Sequence, residues 1–142
     1  MTFVDTSFFY ALFTKKDDNH DRAVQAFTEL EPQRLPELLI TTNHVVFETI
    51  TLTRMSFKRT GHERAVYVGQ RLLSGEVARV HHASPEEERE AFAYLKKYRD
   101  QVFSAVDCLS FVVMDKLGIR EAFTFDERDF SHRFIVRPGP AR

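Results

Sequence analysis

The sequence contains no tryptophan, a single cysteine and only five glycines in 142 residues. One thiol, Cys108, rules out an internal disulfide and fits a reducing cytoplasm. The glycines are scattered, and neither a dinucleotide fingerprint nor a phosphate loop is among them. No apolar run approaches the roughly 18 residues that a membrane-crossing helix needs. The chain opens on a core-type strand without a charged-then-apolar leader, so no signal peptide is expected. An excess of charge is also missing, since the formal net charge is −1. Bulk electrostatics therefore select no partner, and contact with nucleic acid has to come from a local basic patch. Internal repeats, low-complexity tracts and interdomain linkers are absent as well.

What is present is apolar material. Hydrophobic residues make up 43% of the chain, fourteen of them phenylalanine. That suffices for one domain, residues 1–142, with a core of ordinary size. Phe3-Val4 reads as a short buried strand that delivers Asp5 at its C-terminal edge, with Thr6 or Ser7 capping the following helix. His20 to Leu30 has helical spacing, Pro32 and Pro36 bracket a loop, and Leu38 to Thr42 is a buried strand. Asn43 is placed to cap a long helix, about 44 to 60, which breaks at Gly61 and resumes over 63–73. Val77 to Val80 alternates as a strand. Ser84-Pro85-Glu86-Glu87 is a capping box opening a helix to about Tyr98, with the acids at 86–88 facing solvent. Ser104 to Leu117 is apolar almost all round and should be a buried helix that stops at Gly118. Ala122 to Phe125 and Phe134 to Val136 complete the strands, and His81-His82 marks the end of one. Strands alternating with helices predict an α/β fold with a parallel sheet covered on both faces. In such sheets the site lies beyond the carboxyl ends of the strands.

Four acids stand out from these surroundings. Asp5 and Asp126 each follow apolar strand residues directly, where a single Asp is commonly a cap or a turn residue. Asp107 lies three residues after Ser104, so a capping role explains it about as well as a functional one. Glu48 sits among Val45, Val46, Phe47 and Ile50, a run with too few polar neighbours for an exposed face. Jointly the four suggest one acidic pocket, where carboxylates stay ionised together only beside a cation. All-oxygen ligands select Mg²⁺ or Mn²⁺, and no Cys/His cluster competes for that role. A site of this kind supports attack of metal-activated water on a phosphodiester.

Four segments carry these acids: Phe3 to Ser7, Thr41 to Glu48, Phe103 to Phe111 and Ala122 to Phe130. Together, in order and spacing, they resemble the PIN-domain ribonucleases, and more narrowly the VapC-type toxins of toxin–antitoxin pairs. The resemblance implies a PIN-like three-layer α/β/α fold with a five-stranded sheet in 3-2-1-4-5 order. It implies an endoribonuclease whose catalytic and metal-binding acids are Asp5, Glu48, Asp107 and Asp126. Asp5 and Asp107 would ligate most directly, with Asp126 and Glu48 acting through water. Thr6 and Ser104 match the family's hydroxyl positions that orient ligands. Asp129 reads equally as a turn acid or as a support to the ligands. A cognate antitoxin, a homodimer and a cytoplasmic location are the further implications. RNA contact would fall to Lys15, Lys16, Arg54, Lys58, Arg59 and Arg128, which flank the acids.

Rival readings separate on particular residues. An aspartate-nucleophile phosphatase needs an acid where Ser7 stands and is rejected. A PIN nuclease of RNA maturation fits the same acids, while a non-catalytic RNA- or protein-binding domain leaves the complete acid set unexplained. Cys108 has no base beside it in the motif and reads as a small core residue.

Overall fold

The structure, a computed structural model, describes residues 1–139, so positions 140–142 of the expected domain lie outside the described residues. Five strands form a parallel sheet in the order β3-β2-β1-β4-β5. They are β1 (Thr2–Val4), β2 (Leu39–Thr42), β3 (Arg79–His81), β4 (Glu121–Phe123) and β5 (Ile135–Arg137). The central strand pairs Phe3 with Ile40 on one side and with Ala122 on the other. Successive strand side chains point to opposite faces, and Phe3 and Val4 are both fully buried, so both faces of the sheet are covered.

The covering helices are α1 (Thr6–Phe13), α2 (His20–Thr28), α3 (Leu35–Leu38), α4 (Asn43–Ser56), α5 (Gly61–Leu73), α6 (Pro85–Lys97), α7 (Ala105–Leu117) and α8 (Glu127–Phe130). Phe8, Phe9, Val45, Phe111 and Met114 from these helices are fully buried with the strand residues in one core. α7 is buried along most of its length and ends at Gly118, whose φ of +69° is the left-handed conformation that lets the chain turn off the helix.

Several expectations shift. Pro32–Arg34 is a 3-10 turn running into α3, not a plain loop, each opened by a proline at a position that needs no N–H. Asp5, not Thr6 or Ser7, occupies the N-cap of α1. Thr42, not Asn43, caps α4 by accepting from Val45 N at 3.1 Å. Asn43 Oδ1 instead accepts from Ala83 N at 2.9 Å, which ties α4 to the segment beyond β3. α4 ends at Ser56 because Phe57 is extended, and α5 begins at Gly61 itself. There the two helices meet so closely that a Cβ on Gly61 would lie 2.3 Å from Arg54 O. β3 starts two residues late because the ladder with β2 begins at Ile40 opposite Arg79, leaving Val77 and Ala78 as buried residues ahead of it.

One further correction concerns the acids at 86–88. Glu87 is 2% exposed, although the sequence pattern places it toward solvent. Its carboxylate completes the capping box by accepting from Ser84 N at 2.9 Å, and it pairs with His81 Nε2 at 2.9 Å and Lys116 Nζ at 3.8 Å. Burial raises its pKa, but the bonds from Ser84 and His81 outweigh burial and hold it below the usual carboxylate range.

Candidate active site

The C-terminal ends of β1 and β4 place Asp5 and the turn bearing Asp126 side by side. The pairing of β1 with β4 continues one residue beyond the strand, since Asp5 N donates to Phe123 O at 3.0 Å. Asp5 is 3% exposed, and its Oδ2 accepts from Ser7 Oγ at 3.1 Å and Thr124 Oγ1 at 3.0 Å. Those hydroxyls in turn accept from Phe125 N and Asp126 N, both at 2.9 Å. Backbone N–H groups thus hold each hydroxyl oxygen in place against Asp5, and the two hydroxyls also lie 3.1 Å from each other. The network fastens the β4–α8 turn, and with it Asp126, to the end of β1.

Asp107 arrives from α7. It is the third residue of that helix and forms a capping box with Ser104, each accepting from the other's backbone N–H at 3.0 Å. The sequence left capping and chemistry as alternatives for this acid; the capping box is formed, and the same carboxylate also faces other acids. Asp107, Asp126 and Asp129 each place a carboxylate oxygen within 4.8 Å of the others. Asp129, on α8, therefore belongs to the tightest group, whereas Asp5 and Glu48 stand outside it. Both still act on it electrostatically: Asp5 feels Asp107, and Asp107 feels Glu48. Glu48 is half-buried and lines a cleft of about 520 Å³ with Phe47, Leu52, Met55 and Val106.

The electrostatics state what the site lacks. Burial and then the charge of Asp107 push the Asp5 carboxyl up to about 6, against the bonds it accepts from Thr124, Thr6 and Ser7. Burial and then Asp129 push Asp126 up to about 7, with Asp107 and Asp5 adding to the effect. Burial raises Asp107 too, with Asp129 and Glu48 adding to it, although its cap bonds from Ser104 oppose the shift. Among the described residues no Lys, Arg or His forms an ion pair with Asp5, Glu48, Asp107, Asp126 or Asp129. Thr6 Oγ1, next to Asp5 in the chain, is buried without a hydrogen-bond partner. Uncompensated carboxylates with an orphaned hydroxyl beside them fit a hard divalent cation, which accepts oxygen ligands and supplies the missing charge. Burial and Asp107 raise the Cys108 thiol to about 11, so it stays protonated and is no nucleophile.

Residues 2–133 match the PIN domain family. The chain belongs to the PIN-domain family. It is 38% identical over 140 residues, 99% of both chains, to the 23S rRNA-specific endonuclease VapC20 from two strains of Mycobacterium tuberculosis. Among solved structures, the crystal structure of that bacterium's VapC20, described as a sarcin–ricin loop cleaving toxin, superposes with a TM-score of 0.82. The match has 35% identity and covers 95% of this chain and 97% of that one. A toxin–antitoxin complex from Klebsiella pneumoniae shares the fold at a TM-score of 0.61 and 14% identity, over 92% of this chain and 91% of that one. The expected family and the 3-2-1-4-5 sheet are therefore both observed.

Within this PIN domain, the hydroxyl network through Ser7 and Thr124 was not singled out from the sequence as support for the acids. The signal was there in spacing alone: Ser7 stands two residues after Asp5 and Thr124 two before Asp126, at the first turn of α1 and in the turn after β4. The expected basic residues Lys15, Lys16, Arg54, Lys58, Arg59 and Arg128 are all exposed.

Proposed function

We propose that this PIN domain is a metal-dependent endoribonuclease and the toxin of a toxin–antitoxin pair, with 23S rRNA at its sarcin–ricin loop as substrate. The observation that carries the proposal is the group of Asp107, Asp126 and Asp129 beside buried Asp5, strongly acidic and without a counter-cation of the protein's own. Identity of 38% along the whole chain to a 23S rRNA-specific endonuclease supports the choice of RNA.

Asp5, Asp107 and Asp126 would hold Mg²⁺ or Mn²⁺, with Asp129 and Glu48 completing the set and Thr6 placed to orient a ligand. A bound divalent ion supplies a water of lowered pKa and stabilises the charge developing on the leaving oxygen. The protein's part is positional. Ser7 and Thr124 fix the Asp5 carboxylate, and Ser104 fixes that of Asp107. An antitoxin would neutralise the pocket by sending a basic side chain into it. Phe47 and Met55, 58% and 78% exposed on α4, offer apolar surface to a second copy or to that partner. Among the described residues no helix is long and apolar enough to cross a membrane.

The test is cleavage of purified ribosomes in Mg²⁺, with RNA 5′ ends mapped by sequencing. One dominant cut in 23S rRNA is expected, lost in EDTA and in Asp107→Asn, whose circular dichroism stays that of the parent. Expression with and without the adjacent reading frame separates a toxin from a maturation nuclease, because only the toxin arrests growth and is rescued. Cutting by Asp107→Asn at the parent's rate would overturn the site.

A further inference from the structure

A second charged feature lies at the other end of the two helices that leave the acid site. α1 begins directly after Asp5 and ends at Phe13, two residues before Lys15. α4 carries Glu48 and ends at Ser56, beside Phe57. The helices pack against each other and deliver their C-terminal ends to one cleft of about 250 Å³, lined by Lys15, Lys16, Phe57 and Arg64. Lys16 Nζ and the Arg64 guanidinium carbon each lie 4.3 Å from the centre of the Phe57 ring. Arg64 is held further by donating from Nε to Thr60 Oγ1 at 2.9 Å. Among the described residues, none of these three cations has a carboxylate partner. The C-terminal ends of α1 and α4 bring partial negative charge to this corner and the N-terminus of α5 partial positive charge, so attraction for an anion there comes from the three side chains.

Like charges gathered around one ring repel, and attraction to the ring face offsets only part of that cost. An anion in the cleft removes it. The Phe57 ring is covered by the two cations, and the planar Arg64 guanidinium suits the oxygens of a phosphate. We propose that this cleft is a subsite for an RNA phosphodiester several nucleotides from the scissile bond. α1 has eight residues and spans about 12 Å, the length of roughly three to four stacked nucleotides at about 3.4 Å each. A cleft of this size holds a phosphate and its sugar, not the side of a helix, which favours RNA over an acidic protein segment. The proposal rests on the ribonuclease reading, and it adds Phe57 and Arg64 to the contacts that Lys15 and Lys16 suggest in the sequence.

The experiment compares fluorescein-labelled single-stranded RNAs of twelve and four nucleotides by anisotropy in EDTA, where the RNA stays intact. The parent is set against Lys15→Ala/Lys16→Ala/Arg64→Ala and against the charge-preserving Lys16→Arg/Arg64→Lys, with thermal melts confirming that each is folded. The triple variant should bind the longer RNA at least tenfold more weakly. Its dependence of log affinity on log salt should be shallower by about 0.7, the contribution of one phosphate that is no longer neutralised. The four-nucleotide RNA, repelled by the acids while no metal neutralises them, should bind weakly and should lose affinity in the triple variant too, and the charge-preserving variant should bind like the parent. Unchanged binding of the longer RNA overturns the subsite, as does an equal loss in the charge-preserving variant. So does a loss confined to the affinity for a co-expressed antitoxin. A parent that binds the longer RNA with these dependences but cuts nothing in Mg²⁺ would sink the nuclease reading and leave the subsite standing.

Discussion

Replacing Asp5 by asparagine should abolish cleavage and yet stabilise the metal-free fold. The Asp5 carboxyl is raised from 3.8 to about 6 inside the protein. At roughly 1.4 kcal/mol per unit, the ionised form costs the metal-free fold about 3 kcal/mol at neutral pH. At 3% exposure, solvent screening relieves little of this. Asparagine keeps an oxygen for the hydroxyls of Ser7 and Thr124 but buries an NH₂ without an assigned acceptor, a cost of about 1–2 kcal/mol. The net gain is about 1–2 kcal/mol, or roughly 2–8 °C in Tm for a chain of this size. The sign with pH follows from the raised value. The folded state keeps a proton that the unfolded state has lost, so the parent's stability falls as pH rises from about 4 through 6. Below pH 4 the carboxyl is neutral in both states, the gain disappears, and only the cost of the buried NH₂ remains, so the order of the two proteins inverts. Thermal unfolding in EDTA at three pH values, near neutral, near the raised pKa and near the ordinary one, measures this. A variant that melts below the parent at neutral pH, or by an offset independent of pH, would refute the reasoning. Adding Mg²⁺ should reverse the order, since only the parent gains the binding term, about 2.7 kcal/mol at a hundred times Kd.

Glu87→Ala removes a helix cap and strips His81 of its buried partner, so it should cost about 2–4 kcal/mol in urea unfolding while cleavage per folded molecule is unchanged. Because the Glu87 carboxyl is depressed, its contribution is present near neutrality and is lost as pH falls below the ordinary carboxylate range, opposite in sign to Asp5. Gly61→Ala drives a methyl to 2.3 Å from Arg54 O and forces α4 and α5 apart. A loss of about 1–3 kcal/mol by the same measurement is expected, as for an overpacked core.

The sheet and its order were legible because apolar strands alternate with capped helices, and because four acids in register match one family. Exact edges were less so, because they depend on partners far along the chain. Asn43 has the composition of a cap, but Ala83 N takes its side chain and Thr42 does the capping. Glu87 looks like an exposed dipole acid in a run of three, and only the arrival of His81 and Lys116 explains its burial. In the site, each acid was visible as a charge in apolar surroundings, but the ranking among them was not. Asp129 joins Asp107 and Asp126 through the tight turn of α8, a four-residue helix too short to leave a periodic signal.

The side-chain bonds within the site explain how carboxylates are held ready for a cation without being consumed by the fold. Ser7 and Thr124 both donate to Oδ2 of Asp5, and Ser104 N donates to Oδ2 of Asp107. Asp5 accepts a further bond from Thr6, so its orientation is fixed by three donors of the protein. The protein thus commits hydroxyl and amide donors to direction and leaves neutralisation to the ion. A lysine placed among these acids would lower the cost of folding and occupy the cation's place. Thr124→Val tests this division, because it removes one donor to Asp5 and leaves Asp126 N without its acceptor while every carboxylate remains. Metal affinity, read by the Mg²⁺ concentration that gives half-maximal cleavage, should weaken by about tenfold, the lower end for an outer-shell partner. An unchanged Mg²⁺ requirement would mean that the hydroxyls merely fill space.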